Sequence, residues 1–361
     1  MSTPHFHDLP VVAIETEAAH AASITLQVPA ALQESFRFEP GQFITLRAQI
    51  QGQEVRRSYS LCSTPARLSE QGQIQIGVRA VPGGRMSTWL TQAIQAGQTL
   101  TCTRPEGRFV IQRKRALHRV GFAAGSGITP ILSILTHTLE GSPLAKFTLV
   151  YGNRRMDSVM FNEALQDLKD RYADRLTLIH ILSRQAQEVP LLEGRIDGDK
   201  VRALMQVFLP VNSMDEVFIC GPEAMIEATE TSLLAAGVKR ERVHTERFGS
   251  ATVPQATAPR PRASAAPVGA IKLSVIADGK RHELHMSDDQ RILDVALEAG
   301  LDLPYSCKGG VCCTCRAKLI SGQVSMDKNF TLEDAEVRQG FVLSCQARPT
   351  TAEVVVSFDE R

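Results

Sequence analysis

Residues 306–316 read SCKGGVCCTCR, and residues 342–345 read VLSC. The cysteines fall as Cys307-x4-Cys312-x2-Cys315-x29-Cys345. Three thiolates on one loop can wrap a small inorganic core, and the fourth ligand then arrives from a distant strand. That is the spacing of a plant-type [2Fe–2S] cluster. Gly309 and Gly310 let the backbone fold tightly between the ligands and point amides at the sulfides. Zinc is the alternative for clustered cysteines, but zinc sites usually pair two short Cys-x2–4-Cys units, and here Cys345 stands alone. Cys313 is an extra thiol inside the loop. Cys312 and Cys315 fit the spacing, so Cys313 reads as a small filler.

The remaining cysteines, Cys62, Cys102 and Cys220, are isolated. Clustering this uneven argues for a metal site over a disulfide framework. The N-terminus MSTPHFHDLP lacks a basic stretch followed by an apolar run, so no secretory signal is expected and the cytosol is the expected compartment. His5 and His7 there read as a solvated tail. The chain has 361 residues, 43% of them apolar, which fits two or three packed domains and excludes disorder throughout. Its 40 Lys+Arg against 39 Asp+Glu leave a net charge of +1, no footprint for nucleic acid. No apolar run reaches the ~18 residues that a membrane span needs.

Composition divides the chain. Residues 249–270, GSATVPQATAPRPRASAAPVGA, hold four prolines and seven alanines with no acidic or aromatic residue, and read as an extended, flexible linker. Before it, residues 1–112 read as strands: VVAIETE, ITLQVP, FITLRAQI, IQIGVRAV and FVIQ between Gly, Pro and Gln-rich turns. Such spacing suggests a small β-barrel. Residues 113–248 alternate the apolar runs HRVGFAAG, FTLVYG, LTLIHIL, EVFICG and VHTERF with helical patterns such as ITPILSILTHTLE, which predicts an α/β doubly wound parallel sheet. After the linker, residues 271–361 carry the cysteine loop. The stretch SDDQRILDVALEAGLDLPYSC predicts a helix leading into that loop. This block resembles the β-grasp (α+β) ferredoxin domain.

Further motifs carry chemistry upstream. Arg57-Ser58-Tyr59-Ser60 lies at a strand end. An arginine there can neutralise a pyrophosphate and a tyrosine ring can cover a flat heterocycle, although a surface Arg and a core Tyr fit the same letters. Gly83-Gly84-Arg85-Met86-Ser87 joins a glycine turn to a helix start, where backbone amides can hold phosphate. Trp89 reads as an anchor of that helix. AAGSGITP, from Ala123 to Pro130, ends a strand and opens a helix. It is a GxGxxP turn, open to a packing role, in which Gly125 and Gly127 permit close backbone approach and the helix N-terminus favours an anion.

In order, RSYS, GGRMS, PEGRF, AAGSGITP, YGNR, SR, CGP and ERF resemble the ferredoxin–NADP reductase superfamily over about residues 1–248. The resemblance implies FAD on the barrel, with Arg57, Ser58, Tyr59 and Ser60 at flavin and phosphate and Gly83, Gly84, Met86 and Ser87 at the pyrophosphate. It places Thr129 and Pro130 near flavin and nicotinamide, Cys220-Gly221-Pro222 beside the nicotinamide, and Glu246-Arg247-Phe248 near the flavin. Thr129, Cys220 and Tyr59 are the expected catalytic positions. Arg154, Arg155 and the pair Ser183-Arg184 follow strands that end without an acid. NAD selection commonly uses such an acid, and by resemblance Ser183 and Arg184 meet a 2′-phosphate, with Arg154 nearby, so NADPH is the expected donor.

With the ferredoxin block included, nearly the whole chain resembles the reductase-subunit family of phenylacetyl-CoA epoxidases. That implies electron transfer from NADPH to FAD to [2Fe–2S] to a di-iron oxygenase component. The same three modules also serve other oxygenases, desaturases and hybrid-cluster proteins. An iron–sulfur redox sensor is the reading from another class, but a sensor has no need of flavin and nicotinamide motifs.

Overall fold

The computed structural model describes residues 5–249 and 271–360, so the expected linker lies outside the described residues apart from Gly249. Two compact units result, one built on His7–Val55 and Tyr59–Phe248, the other on the C-terminal block.

The first unit begins with six strands: β1 (His7–Ala18), β2 (Ala21–Gln27), β3 (Phe43–Ile50), β4 (Gln53–Ser60), β5 (Gln73–Arg79) and β6 (Thr99–Cys102), in the order β4-β3-β6-β1-β2-β5. Leu61, just past β4, bridges Ile76 on β5 and brings the two edges of the sheet together. Alternation does the folding work: Leu9 and Val11, Ile24 and Leu26, Ile44 and Leu46, and Ile74, Ile76 and Val78 point into one core. Short helices α1 (Ala30–Gln33) and α2 (Pro65–Gln71) fill connections, and α3 (Arg85–Gln92) lays Met86, Trp89 and Leu90 on the barrel core. Trp89 is therefore the anchor expected. His7 is not tail: it opens β1 opposite Cys102 and sets its ring edge-on to Phe36 at 5.5 Å.

FVIQ, expected as a strand, is a connector between barrel and second sheet. Its apolar residues serve packing, with the Phe109 ring perpendicular to Phe218 at 5.5 Å. Next to them, the amides of Gln112 and Arg113 donate to the buried Glu216 carboxylate at 2.7 and 3.1 Å, so their hydrogen bonds go to a side chain and not to a ladder.

The second sheet has β7 (His118–Ala124), β8 (Lys146–Asn153), β9 (Leu176–Leu182), β10 (Glu216–Gly221) and β11 (Val243–Arg247), all parallel, in the order β11-β10-β7-β8-β9. Helices α4 (Ile128–Gly141), α5 (Asn162–Arg171), α6 (Gly198–Val207) and α7 (Glu223–Ala235) connect them. Both sheet faces are buried, against two separate apolar clusters, which is why the strands read as continuous apolar runs.

The second unit is a five-stranded mixed sheet, β13-β12-β18-β14-β16, formed by β12 (Ile271–Ala277), β13 (Lys280–Met286), β14 (Arg316–Ser321), β16 (Phe341–Leu343) and β18 (Glu353–Ser357), with a small pair β15 (Val324–Met326) and β17 (Ala347–Pro349). β12 pairs β13 antiparallel and β18 parallel. Helix α8 (Ile292–Glu298) packs Ile292, Leu293 and Ala296 against Leu273, Val275, Val354 and Val356 in the core, and a short α9 (Asp334–Arg338) precedes β16. This is the β-grasp expected. No helix among the described residues is long and apolar enough to cross a membrane.

Candidate functional site

In the parallel sheet the chain winds outward in both directions from the neighbours β7 and β10. Ligands of such sheets sit in the crevice at the C-terminal ends of the strands where that order reverses. The residues Gly125–Gly127 form a single helical turn there, between β7 and α4. A Cβ on Gly127 would fall 2.1 Å from the Cys220 carbonyl oxygen, so the turn lies directly on the end of β10 and admits only glycine. The Tyr151 hydroxyl donates to the Gly125 carbonyl at 2.9 Å, and Thr129 Oγ1 donates to the Ser126 carbonyl at 3.0 Å. No side chain caps the N-terminus of α4. Its first amides, with Pro130 in the first turn, form a site that an anion can take.

Strand register brings the other motifs to the same edge. Cys220 lies between Ala123 on β7 and Glu246 on β11, and Gly221 lies beside Arg247. The barrel meets this edge: Ser60, at the end of β4, donates its hydroxyl to Glu246 Oε2 at 3.2 Å. Gly77 on β5 abuts Thr129, whose methyl would lie 2.5 Å from a Cβ placed there. Burial raises the Glu246 carboxyl to about 8 against the opposing Ser60 hydrogen bond. Burial, then the neighbouring Glu246, pushes the Cys220 thiol well above its usual range. Glu246 and Cys220 are therefore both protonated at neutral pH, and the charge on this edge is that of Arg247, paired with Glu223 at 2.7 Å. Pro222 caps α7, and Phe248, 40% exposed, follows β11.

On the barrel, Arg57 donates to its neighbour's carbonyl, that of Arg56, at 2.7 Å, and Tyr59 rests half-buried on the barrel core. Gly83 turns with φ +73° into Gly84, the uncapped start of α3. The Ser87 hydroxyl is engaged inside this turn, accepting from the Val81 amide and donating to the Gly84 carbonyl, both at 3.2 Å. What the turn offers a phosphate is backbone N–H, with Ser87 fixing its shape. Arg85, which the sequence did not single out, donates to Gln53 Oε1 at 2.7 Å and to the Ile50 carbonyl, tying the turn to the β3–β4 hairpin.

The two arginine segments also converge. The Ser183 amide donates to the Asn153 carbonyl at 2.9 Å and the Arg184 amide to the Arg154 carbonyl at 2.8 Å. Arg154 and Arg184 are exposed. Arg155, also exposed, pairs with Asp157 at 3.5 Å.

In the ferredoxin block Cys307 approaches Cys312, and Cys315 approaches Cys345. The Cys312 thiol, then the amides of Gly309, Val311 and Cys312, pull Cys307 below its usual range against burial. The Gly309 amide stands 3.2 Å from Cys307 Sγ. Cys345 is likewise lowered by Cys315, by Gln346 and by the Gly310 amide. Gly309 and Gly310 thus aim amides at sulfur. Two pairs of thiols suit two iron atoms, each taking two thiolates, whereas a tetrahedral zinc needs four on one centre. Among the described residues no three Cys, His, Asp or Glu side chains are placed around a single ion. Cys313 takes φ +58° and packs on the domain core.

Three family descriptions match the chain: an oxidoreductase FAD-binding domain at residues 8–111, an oxidoreductase NAD-binding domain at 122–231 and a 2Fe-2S iron-sulfur cluster binding domain at 275–350. The chain is 44% identical to one of the subunits of 1,2-phenylacetyl-CoA epoxidase from Escherichia coli K12, over 99% of this chain and 98% of the relative. The chain belongs to the ferredoxin–NADP reductase superfamily. Within it, the ferredoxin reductase component of 3-ketosteroid-9-alpha-monooxygenase from Rhodococcus rhodochrous is 35% identical over 97% of this chain and 96% of its own. Phthalate dioxygenase reductase shares the fold, with a TM-score of 0.60 at 22% identity over 98% of both chains. As a member of this superfamily the chain is an oxidoreductase with FAD, NAD and [2Fe–2S] domains, and its role is electron transfer to an oxygenase.

Proposed function

We propose that this chain accepts electrons from NADPH and passes them, through FAD and a [2Fe–2S] cluster, to the oxygenase component of a phenylacetyl-CoA epoxidase in phenylacetate degradation. The observation that carries the acceptor is the 44% identity across the chain to the epoxidase polypeptide. The 35% identity to the 3-ketosteroid monooxygenase component supports a second reading, a reductase for another oxygenase. The compartment in this reading is the cytosol, where thiols stay reduced.

The proposed domains are a barrel at 1–112, a nucleotide domain at 113–248, a linker at 249–270 and a ferredoxin domain at 271–361. Flavin supplies acceptance of a hydride and release of single electrons. The protein supplies geometry. Arg57, with the backbone of Gly83, Gly84, Met86 and Ser87, holds the flavin pyrophosphate, and Tyr59 covers the ring beside Ser58 and Ser60. Gly125, Gly127, Thr129 and Pro130 hold the nucleotide against Cys220, Gly221 and Pro222, and Phe248 closes the edge. Cys307, Cys312, Cys315 and Cys345 hold the cluster. Support for this placement is the bond from Ser60 to Glu246 and the contact of Gly127 with Cys220, which bring the flavin strand and the nicotinamide edge together.

The acceptor is tested by mixing the purified reductase with the oxygenase subunits of a phenylacetyl-CoA epoxidase, and separately with a 3-ketosteroid oxygenase. NADPH oxidation that depends on phenylacetyl-CoA is the expected result. Turnover only in the steroid mixture would overturn it.

The NADPH preference rests on Arg184 and Arg154. The 2′-phosphate adds roughly two negative charges, which guanidinium groups meet with charge-assisted hydrogen bonds. One such bond is worth about 1.5–3 kcal/mol, so its upper end gives on the order of a hundredfold discrimination. Arg184→Ala should raise KM for NADPH by about ten- to a hundredfold and leave NADH nearly unchanged. Turnover at saturation should change less, because the adenosine end binds ground and transition states alike. Equal losses with both nucleotides would make Arg184 structural.

A further inference from the structure

Gln346 follows the fourth cysteine, and its side chain is buried, 2% exposed. Its Nε2 lies 2.9 Å from the Lys308 carbonyl, 2.8 Å from the Cys345 carbonyl and 3.5 Å from Cys345 Sγ. Both oxygens are acceptors only, so the group facing them is the NH2 and the amide orientation is settled by its partners. Its two hydrogens are spread over three acceptors, and 3.5 Å is a normal reach for an N–H toward sulfur. The methylene stem stands over the ligand loop: a Cβ on Gly310 would lie 3.3 Å from Gln346 Cγ. Lys308 sits beside Cys307, in the loop, while Cys345 comes from a separate segment. One amide therefore joins the two pieces of chain from which the four thiols come.

We propose that Gln346 is a positioning residue that fixes Cys345 against the ligand loop and, by donating to its sulfur, raises the reduction potential of the cluster. This rests on the reading of the four cysteines as [2Fe–2S] ligands. The physical reason is charge. Reduction adds one negative charge, part of which falls on the ligating sulfurs, and a donor aimed at sulfur stabilises the more negative state more. Among the described residues the Gly310 amide, from the ligand loop, also reaches Cys345, and Gln346 adds a side-chain donor from the other piece of chain.

The test uses the full chain with its cofactors. Gln346→Met keeps the length and volume and removes the donor. Gln346→Glu keeps the shape and replaces the donor with an acceptor. The measurements are iron and acid-labile sulfide content, the midpoint potential of the cluster by spectroscopic titration, and the electron paramagnetic resonance spectrum of the reduced protein. Gln346→Met should keep iron and sulfide, and its equilibrium should shift about tenfold toward the oxidised form, which for one electron is ~59 mV downward. Gln346→Glu should shift at least as far, and the resonance line shape should change in both. Should Gln346→Met assemble no cluster, Gln346→Glu carries the same comparison. A loaded variant with the wild-type potential and line shape would overturn the role of Gln346. A wild-type chain without acid-labile sulfide would instead overturn the cluster reading itself, so the two failures are distinct.

Discussion

At neutral pH Glu246 keeps its proton, because burial raises its carboxyl to about 8 from an ordinary 4.5. The folded state therefore binds one more proton than the unfolded chain between those two values. The contribution of this group to stability is greatest below about pH 4.5, falls by ~1.4 kcal/mol for each pH unit up to about 8, and is constant beyond. Glu246→Gln removes the titration and keeps an oxygen for the Ser60 hydroxyl. The variant should match the wild type in acid and gain stability relative to it as pH rises through 5–8. Urea midpoints of the flavin-bearing unit at pH 5, 7 and 9 read this directly. Parallel profiles for the two proteins would show that the carboxyl is solvated or already ionised. The bond from Ser60 could not be read from the sequence. Both residues belong to recognisable motifs, but their motifs lie 186 residues apart, and only the meeting of β4 with β11 pairs them. Gln346 gave no signal at all beyond standing next to a ligand. A lone glycine inside the β5 pattern did carry one, since it marks a close approach, and the approach is Thr129.

Whole elements were legible where their pattern was long and two-sided. β9 and β10 span the runs LTLIHIL and EVFICG without change: β10 is buried along nearly its whole length, and β9, at the sheet edge, still buries Leu176, Ile179, Ile181 and Leu182. The helix expected in the stretch leading into the cluster loop is α8. The shortest elements were not. β6 has four residues, TLTC, and owes its strand character to lying between β3 and β1, where Leu100 and Cys102 are buried. FVIQ failed the other way. Its β-branched and aromatic residues suit a ladder, yet the amides of its last residue, Gln112, and of Arg113 found the Glu216 carboxylate. That carboxylate also receives Arg119 Nε at 3.0 Å and is held below the usual carboxylate range, where the His244 ring 3.2 Å away and the hydrogen bonds from Gln112, Arg113 and Arg119 outweigh the opposing effect of burial. A side chain that gathers so many donors settles the path of a connector more firmly than local propensity does. The cysteine loop shows the opposite case, a short segment read correctly, because ligand spacing is a constraint on chain geometry and needs no tertiary context.

At the scale of the molecule the division of labour follows from where the cores lie. Barrel and parallel sheet share one compact unit and are joined by direct bonds: Ser133 Oγ donates to the Ser63 carbonyl at 2.6 Å, and the Phe161 amide donates to Glu17 at 3.0 Å. The ferredoxin block has its own core, built from α8, β12 and β18. In the proposed function, hydride transfer from nucleotide to flavin uses residues 1–248, and exit of electrons uses the ferredoxin block. Cutting the chain near Pro259, inside the alanine- and proline-rich stretch, should therefore leave a flavoprotein of residues 1–258. It should reduce ferricyanide with NADPH at close to the wild-type rate, because a small oxidant can take electrons from the flavin without the cluster. The same fragment should lose most of its ability to drive an oxygenase component. Adding the separate ferredoxin block should restore only part of it, since tethering supplies an effective concentration that free domains lack. Purification of the fragment, its flavin absorbance and the two rates decide the matter. A fragment that comes off the column colourless would place an essential part of the flavin site beyond residue 258, and full oxygenase turnover without the cluster domain would mean that electrons leave from the flavin itself.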